Sequence, residues 1–293
     1  MILTPETGPA TLKNRPWGGS RLSSMRDPDQ EIERPIGEAW EFSTLEGSES
    51  RADGQPLSAV LGRPLPFLAK LLDTANDLSI QVHPQDNPAT GAQGKEEAWV
   101  VLDAEPDARV LAGVREGTST AEFTAAIERV RTDRGDGQPL MDLLQSVPVQ
   151  RGTVVLVPAG TIHAIGGGVL IAEIQQPTDL TYRVFDYGSE RDLHLDLALD
   201  AARIDALPTI HQPGDRAGDI TGQHLRLEVL APGRHERRAE RDCLIVPFGS
   251  ASRIDADDRS EALSEGSLRL ATAGTTFTLE VAPGGGAVLG AIE

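Results

Sequence analysis

Glycine and proline cut this chain into strand-length pieces. Among 293 residues there are 30 Gly and 20 Pro. From residue 67 onward, the apolar runs between them are too short for long helices and often alternate with polar residues. Residues 67–73 (FLAKLLD), 78–84 (LSIQVHP) and 97–104 (EAWVVLDA) read as strands, with the polar stretch 84–96 as a loop between the last two. Residues 151–177 return to the pattern, and 224–293 carry further alternating runs (HLRLEVL, DCLIVPF, TFTLEV). Two stretches differ. Near residues 118–146, Phe123, Ala126, Ile127 and Val130 recur at helical spacing behind a Thr118 or Ser119 cap, and PLMDLLQSV reads as a second short helix. Residues 194–204 also look helical, with Asp192 as a nearby cap. The expectation is an all-β protein with a small helical insertion, divided as 1–204, a Pro/Gly/Asp-rich linker at 205–223, and a smaller β unit at 224–293.

Charge and cysteine content narrow the function. The formal net charge is -18, which disfavours nucleic acid and anionic membranes as partners. An anionic small substrate is still compatible if its pocket carries its own Lys and Arg. Cys243 is the only cysteine, so no intrachain disulfide forms and a thiolate-rich zinc site is excluded. With no apolar stretch near the ~20 residues of a membrane helix and no signal-peptide pattern at the start, a cytoplasmic location is expected.

Three separated pieces carry metal-ligating residue types. Gln81 and His83 flank Val82, so in a strand both face one side. Glu97 opens the next strand. His163 ends Gly152-x5-Pro158-x-Gly160-x2-His163, which resembles the second signature of the cupin superfamily. In that reading Pro158 and Gly160 turn the chain so that His163 enters the interior of a small barrel, where ligands are held. Amide oxygen, imidazole and carboxylate together suit zinc, with manganese, cobalt or iron as substitutes. The run Gly166–Gly168 reads as a hairpin turn, and the acidic run 253–261 as a solvated loop.

At LSIQVHP the chain resembles the short type I mannose-6-phosphate isomerases. The resemblance continues through RPWGG, KLLD, GKEEAWVVLDAEP, VPAGTIHAIGGG, EIQQPTDLTYRVFDYG and LHLDLAL, and spans roughly residues 14–200. It implies two cupin-like jelly-roll units, the first bearing one zinc held by Gln81, His83, Glu97 and His163. Glu96 also offers a carboxylate and strand alternation does not decide between the two; the motif alignment assigns Glu97. The resemblance further implies Arg183, Lys95 and Glu173 as catalytic residues, and Lys70, Ser79 and Asp179 near the substrate. Trp17, in RPWGG, is a candidate for the pocket wall, and the candidate phosphate contacts are Lys70, Ser79 and Arg183, with Arg15 or Arg21 beside Trp17. Two departures stand out: Ile165 replaces the tyrosine of larger members, and only about thirty residues serve for their helical domain.

The implied reaction interconverts mannose 6-phosphate and fructose 6-phosphate through a cis-enediol. It needs an acid/base group, positive charge near the developing enediolate oxygens and a grip on the phosphate. Glu173 lies among Ile171, Ala172 and Ile174, where burial raises a carboxyl pKa. A hexose 6-phosphate is thus the expected partner, with the chain a monomer or weak homo-oligomer. Two rival classes share the ligand cage: an iron oxygenase, which Gln81 and the nearby Lys/Arg set argue against, and a sugar-phosphate-binding cupin without turnover. The other histidines (His194, His211, His224, His235) read as surface or capping residues.

Overall fold

The structure is a computed structural model that describes residues 1–8, 10–26, 35–256 and 259–293. Strands dominate, as the punctuation predicts, and the four larger sheets stack face to face. A five-stranded and a seven-stranded sheet enclose the first barrel; a six-stranded and a four-stranded sheet form the second. Every pairing described is antiparallel, for example Val169–Gln175 between Leu68–Thr74 and Glu97–Ala104. The architecture is the all-β, two-barrel type expected.

The seven-stranded sheet is buried on both faces, which explains its near-continuous apolar strands. One face carries Ala69, Leu71, Ala98, Val100, Leu102, Leu156 and Ala172. These pack with Leu225, Leu227, Leu244, Val246 and Val288 of the six-stranded sheet in one core cluster. The opposite face looks into the first barrel. There, register aligns Trp40 with Lys70, Lys70 with Glu173, and Glu173 with Trp99. A row of polar and charged side chains thus crosses the barrel interior, because facing residues of paired strands share a side.

Helices cover the outside of the five-stranded sheet. Thr120–Thr132 begins at Ser119, whose hydroxyl accepts the Glu122 N–H while the Glu122 carboxylate accepts the Ser119 N–H. Its apolar stripe packs with Ile80, Val82, Ala164 and Val184. Leu195–Ala201 joins the same cluster. Its N-cap is His194, not Asp192, and no side chain caps it.

Several local expectations are corrected. The second helix covers only Gln138–Met141, and Leu144–Pro148 is a strand paired with Arg109–Val114. Leu144 and Val147 are buried there, so tertiary pairing overrides a helical-looking pattern. Within 205–223, Thr209–His211 pairs with Val154–Val157, and Gly218–Thr221 with Leu225–Leu230. Ile2–Leu3 pairs not with its sequence neighbours but with Arg269–Ala271. Gly166–Gly168 joins strands of two different sheets, so it is a crossing rather than a hairpin turn. In the acidic run, Ser252–Ala256 and Arg259–Leu263 are paired strands; Asp257 and Asp258 lie outside the described residues.

Leu227, 2% exposed, sits in the core between the seven- and six-stranded sheets. Leu227→Ala is expected to cost about 2–5 kcal/mol of unfolding free energy, read from urea denaturation. A loss below about 1 kcal/mol would mean the two sheets contribute little to each other's stability.

Candidate metal centre

Strand register assembles the site. Gln81 lies in Ile80–Val82, with His163 as its Cα partner on one side and Arg183 on the other. Three strands of the five-stranded sheet therefore put His163, Gln81 and Arg183 in one row. Ile80 and Val82 point the other way, into the helix-packed core. His83, two after Gln81, returns to the barrel side and is 1% exposed. The predicted turn closes against it. Gly160 has φ 88° and donates its N–H to the His83 carbonyl at 2.8 Å, while Thr161 N–H reaches the Pro158 carbonyl at 3.1 Å. A side chain at Gly160 would be strained in that conformation.

Opposite this row stands Glu97, the first residue of Glu97–Ala104. Its Oε2 is 3.3 Å from His83 Nε2, and its Oε1 is 3.3 Å from His163 Nε2. Donors about 2.0–2.1 Å from one tetrahedral cation stand about 3.3–3.4 Å apart, so these separations fit. Each imidazole presents its other nitrogen to a backbone carbonyl: His83 Nδ1 to Leu180 O at 3.0 Å, His163 Nδ1 to Thr161 O at 2.9 Å. That contact keeps the ring proton on Nδ1, where it donates to the carbonyl, and leaves Nε2 free to bind, the usual arrangement behind a metal-ligating histidine. His83 Nε2 and Glu97 Oε2 are fully buried without a well-aligned hydrogen bond. Gln81 Nε2 is 3.3 Å from His163 Nε2. Presenting the amide oxygen instead takes a half-turn about its last side-chain bond. The donor set and spacing fit a divalent cation such as zinc.

Comparison with known proteins identifies the family. Residues 9–109 match the model of the phosphomannose isomerase type I catalytic domain. The chain is 34% identical over 228 residues to mannose-6-phosphate isomerase ManA of Bacillus subtilis, covering 68% of each. The chain belongs to the type I phosphomannose isomerases. A mannose-6-phosphate isomerase of Streptococcus mutans is 33% identical over 213 residues, covering 64% of each. In fold, the crystal structure of the B. subtilis mannose 6-phosphate isomerase aligns with a TM-score of 0.74 at 24% identity, over 99% of both chains. A putative mannosephosphate isomerase from Archaeoglobus fulgidus aligns at 0.72 and 20%, over 100% of this chain and 97% of that one.

The other residues singled out within the family motifs are distributed as follows. Lys95 Nζ lies 3.1 Å from Glu97 Oε2. Glu173 accepts a hydrogen bond from Trp99 Nε1 at 3.3 Å and faces Lys70 Nζ at 3.4 Å. Lys70 also sits 3.7 Å from Asp179 and 4.9 Å from the Trp40 ring centroid. Ser79 donates to Gln81 Oε1 at 3.5 Å. Arg183 Nη1 donates to the Asp192 carbonyl at 2.8 Å, and its Nε is buried without a partner. Asp186, three residues on, pairs with Arg191. Trp17 packs in the apolar cluster with Leu72, Trp99 and Ile171. Arg15 grips Glu38 at 2.7 Å. Arg21 bonds Asp73, which is aligned with Leu170 on the opposite face of the sheet, so it is not brought to the site.

Electrostatics separates the carboxylates. Burial pushes the Glu97 carboxyl up, but Lys95 and the two imidazoles outweigh it and hold the group well below the usual range. Glu173 goes the other way: burial, then the Glu97 charge, raise its pKa against the pull of Lys70 and Lys95. Burial keeps His83 neutral, lowering its pKa to about 3, and lowers that of His163 as well.

Two participants escaped the sequence reading. Glu38, 8% exposed, accepts from Arg15 and from Trp40 Nε1 at 2.8 Å and helps balance Lys70. His194 accepts the Arg183 N–H through Nδ1 at 3.1 Å and returns its own N–H to the Arg183 carbonyl at 2.8 Å. Period-two alternation with Trp40 was a usable signal for Glu38; none pointed to His194.

Burial pushes the Glu38 pKa up, but Lys70 and Arg15 prevail and bring it from 4.5 to about 2. Its stabilising contribution is therefore complete above about pH 4.5 and lost as pH falls through about 2. Glu38→Gln should flatten the acid limb of the melting temperature against pH in that window. A limb identical to that of the wild type would refute the ion-pair assignment.

Proposed function

We propose that this chain interconverts mannose 6-phosphate and fructose 6-phosphate at a zinc site formed by Gln81, His83, Glu97 and His163. The observation that carries the reading is the meeting of these four donors beside a buried carboxyl of raised pKa, Glu173, in a barrel that also holds Lys70, Lys95 and Arg183. Family membership supports the same reaction.

Bound zinc supplies Lewis acidity and a fixed anchor for substrate oxygens. The chain's own residues do the rest. Glu173 takes the proton from C2 and returns it at C1, its pKa drawn towards neutrality by burial and by Glu97. Lys70, 3.4 Å from it, limits that rise. Arg183 and Lys95 put positive charge where the enediolate oxygens develop. Arg183 is held for this by the Asp192 carbonyl and by the pair of hydrogen bonds that its backbone makes with the imidazole and the N–H of His194. Ser79 steadies Gln81. Lys70 and Asp179 hold the sugar's hydroxyls, and Arg15, an electrostatic neighbour of Asp179 and Arg183, is the candidate phosphate contact. Trp17 and Trp99 exclude water from the barrel interior.

Two substitutions separate the roles. His163→Ala should lose both zinc and turnover. Arg183→Ala should retain stoichiometric zinc by metal analysis while kcat falls about 100- to 1000-fold. Isomerisation in deuterated water should place solvent deuterium on the sugar product. Full activity after exhaustive chelation, or a His163→Ala variant that keeps metal and rate, would overturn the proposal.

A further inference from the structure

Glu96 adjoins Glu97 but sends its carboxylate out of the barrel. It is 2% exposed, and three successive backbone N–H groups hold it. Gln223 N–H donates to Oε2 at 2.8 Å; His224 and Leu225 donate to Oε1 at 3.0 and 2.7 Å. These donors form the turn between Gly218–Thr221 and Leu225–Leu230, two strands of the six-stranded sheet. The approach depends on Gly222, because a Cβ there would stand 2.1 Å from Glu96 Oε1.

The surrounding contacts brace the same segment. Glu96 N–H donates to Gln176 Oε1 at 2.8 Å, and Gln176 N–H to the Glu96 carbonyl at 3.1 Å. His224 Nε2 meets Asp86 Oδ2 at 2.7 Å, while Asp86 Oδ1 accepts the Gly94 N–H at 2.6 Å. The loop 84–96 is thus tied near both ends to a turn of the second barrel. Lys95, at the end of this loop, and Glu97, which opens the strand after it, contact each other at 3.1 Å.

A buried carboxylate answered by three N–H donors is strongly held, and vacating it leaves those donors unpaired. We propose that Glu96 is a positioning residue: clamped by the turn 222–225, it fixes the backbone that aims Glu97 at His83 and His163, so the second barrel sets the metal affinity of the first. This rests on the zinc reading of the site. Residues outside a ligand shell that orient a ligand typically change metal affinity about 10- to 100-fold. Coupling of this kind is reciprocal, so zinc must also tighten the turn.

The test uses the full-length chain, stripped of metal and titrated with zinc against a chromogenic chelator. Gly222→Ala and Glu96→Gln leave all four proposed ligands intact. Both should lower the metal-free melting temperature, and both should raise the zinc Kd about 10- to 100-fold when it is measured well below the melt of each variant. The unmodified protein provides a second readout that needs no variant to fold. Zinc should slow hydrogen exchange of the Gln223, His224 and Leu225 amides. Wild-type Kd in both variants, or exchange at 223–225 indifferent to zinc, overturns the clamp while leaving the site reading intact. A wild-type chain that binds no zinc overturns the site reading and the clamp together.

Discussion

Charge inside a β-barrel is tolerated only when each charge is answered, and that requirement organises the first half of this molecule. Glu38, Lys70, Lys95, Glu97 and Glu173 are all nearly inaccessible to water. Each lies against a partner: Arg15 on Glu38, Lys70 between Glu173 and Asp179, Lys95 on Glu97. Removing one member leaves another buried and unpaired, which costs far more than an exposed ion pair contributes. The same mutual dependence separates the two carboxyls by protonation. Glu97, between a lysine and two imidazoles, is held as an anion; Glu173, buried and within reach of the Glu97 charge, is drawn towards the neutral form. A ligand and a proton carrier arise from the same residue type by placement alone.

The seven-stranded sheet makes this possible by serving two barrels. Period-two alternation gives its strands one face for the site and one for the six-stranded sheet. Glu96 and Glu97 show the principle at its sharpest. Adjacent in sequence and identical in chemistry, they point into different barrels, one to three backbone N–H groups and the other to the imidazoles. The molecule's net charge of -18 is no obstacle to an anionic sugar phosphate, because the interior field is set by Lys70, Lys95, Arg15 and Arg183 at short range.

Much of the fold was legible because it depended on local rules. The strand Glu97–Ala104 has the bounds read from its apolar run, and the helix Thr120–Thr132 starts behind Ser119, one of the two caps its sequence offers. The misreadings share one cause. Leu144–Pro148 looks helical until Leu144 and Val147 pair with Val114 and Val110 of the neighbouring strand, and Thr209–His211 looks like linker until Val154–Val157 offers it an edge. Ile2–Leu3 joins a sheet made by residues more than 200 positions away, and no local pattern announces that.

By itself, the sequence determined the residue types available for chemistry and some of their local placement: Gln81 on one side of its strand with His83, and His163 behind its Pro158–Gly160 turn. Those follow from backbone stereochemistry over a few residues. Only the tertiary structure decided which strands would be neighbours, and hence that His163, Gln81 and Arg183 share a row, that Glu38 balances Lys70, and that Glu96 belongs to the second barrel. Register between distant strands is set by the summed burial of whole faces, a property that no short window of the chain contains.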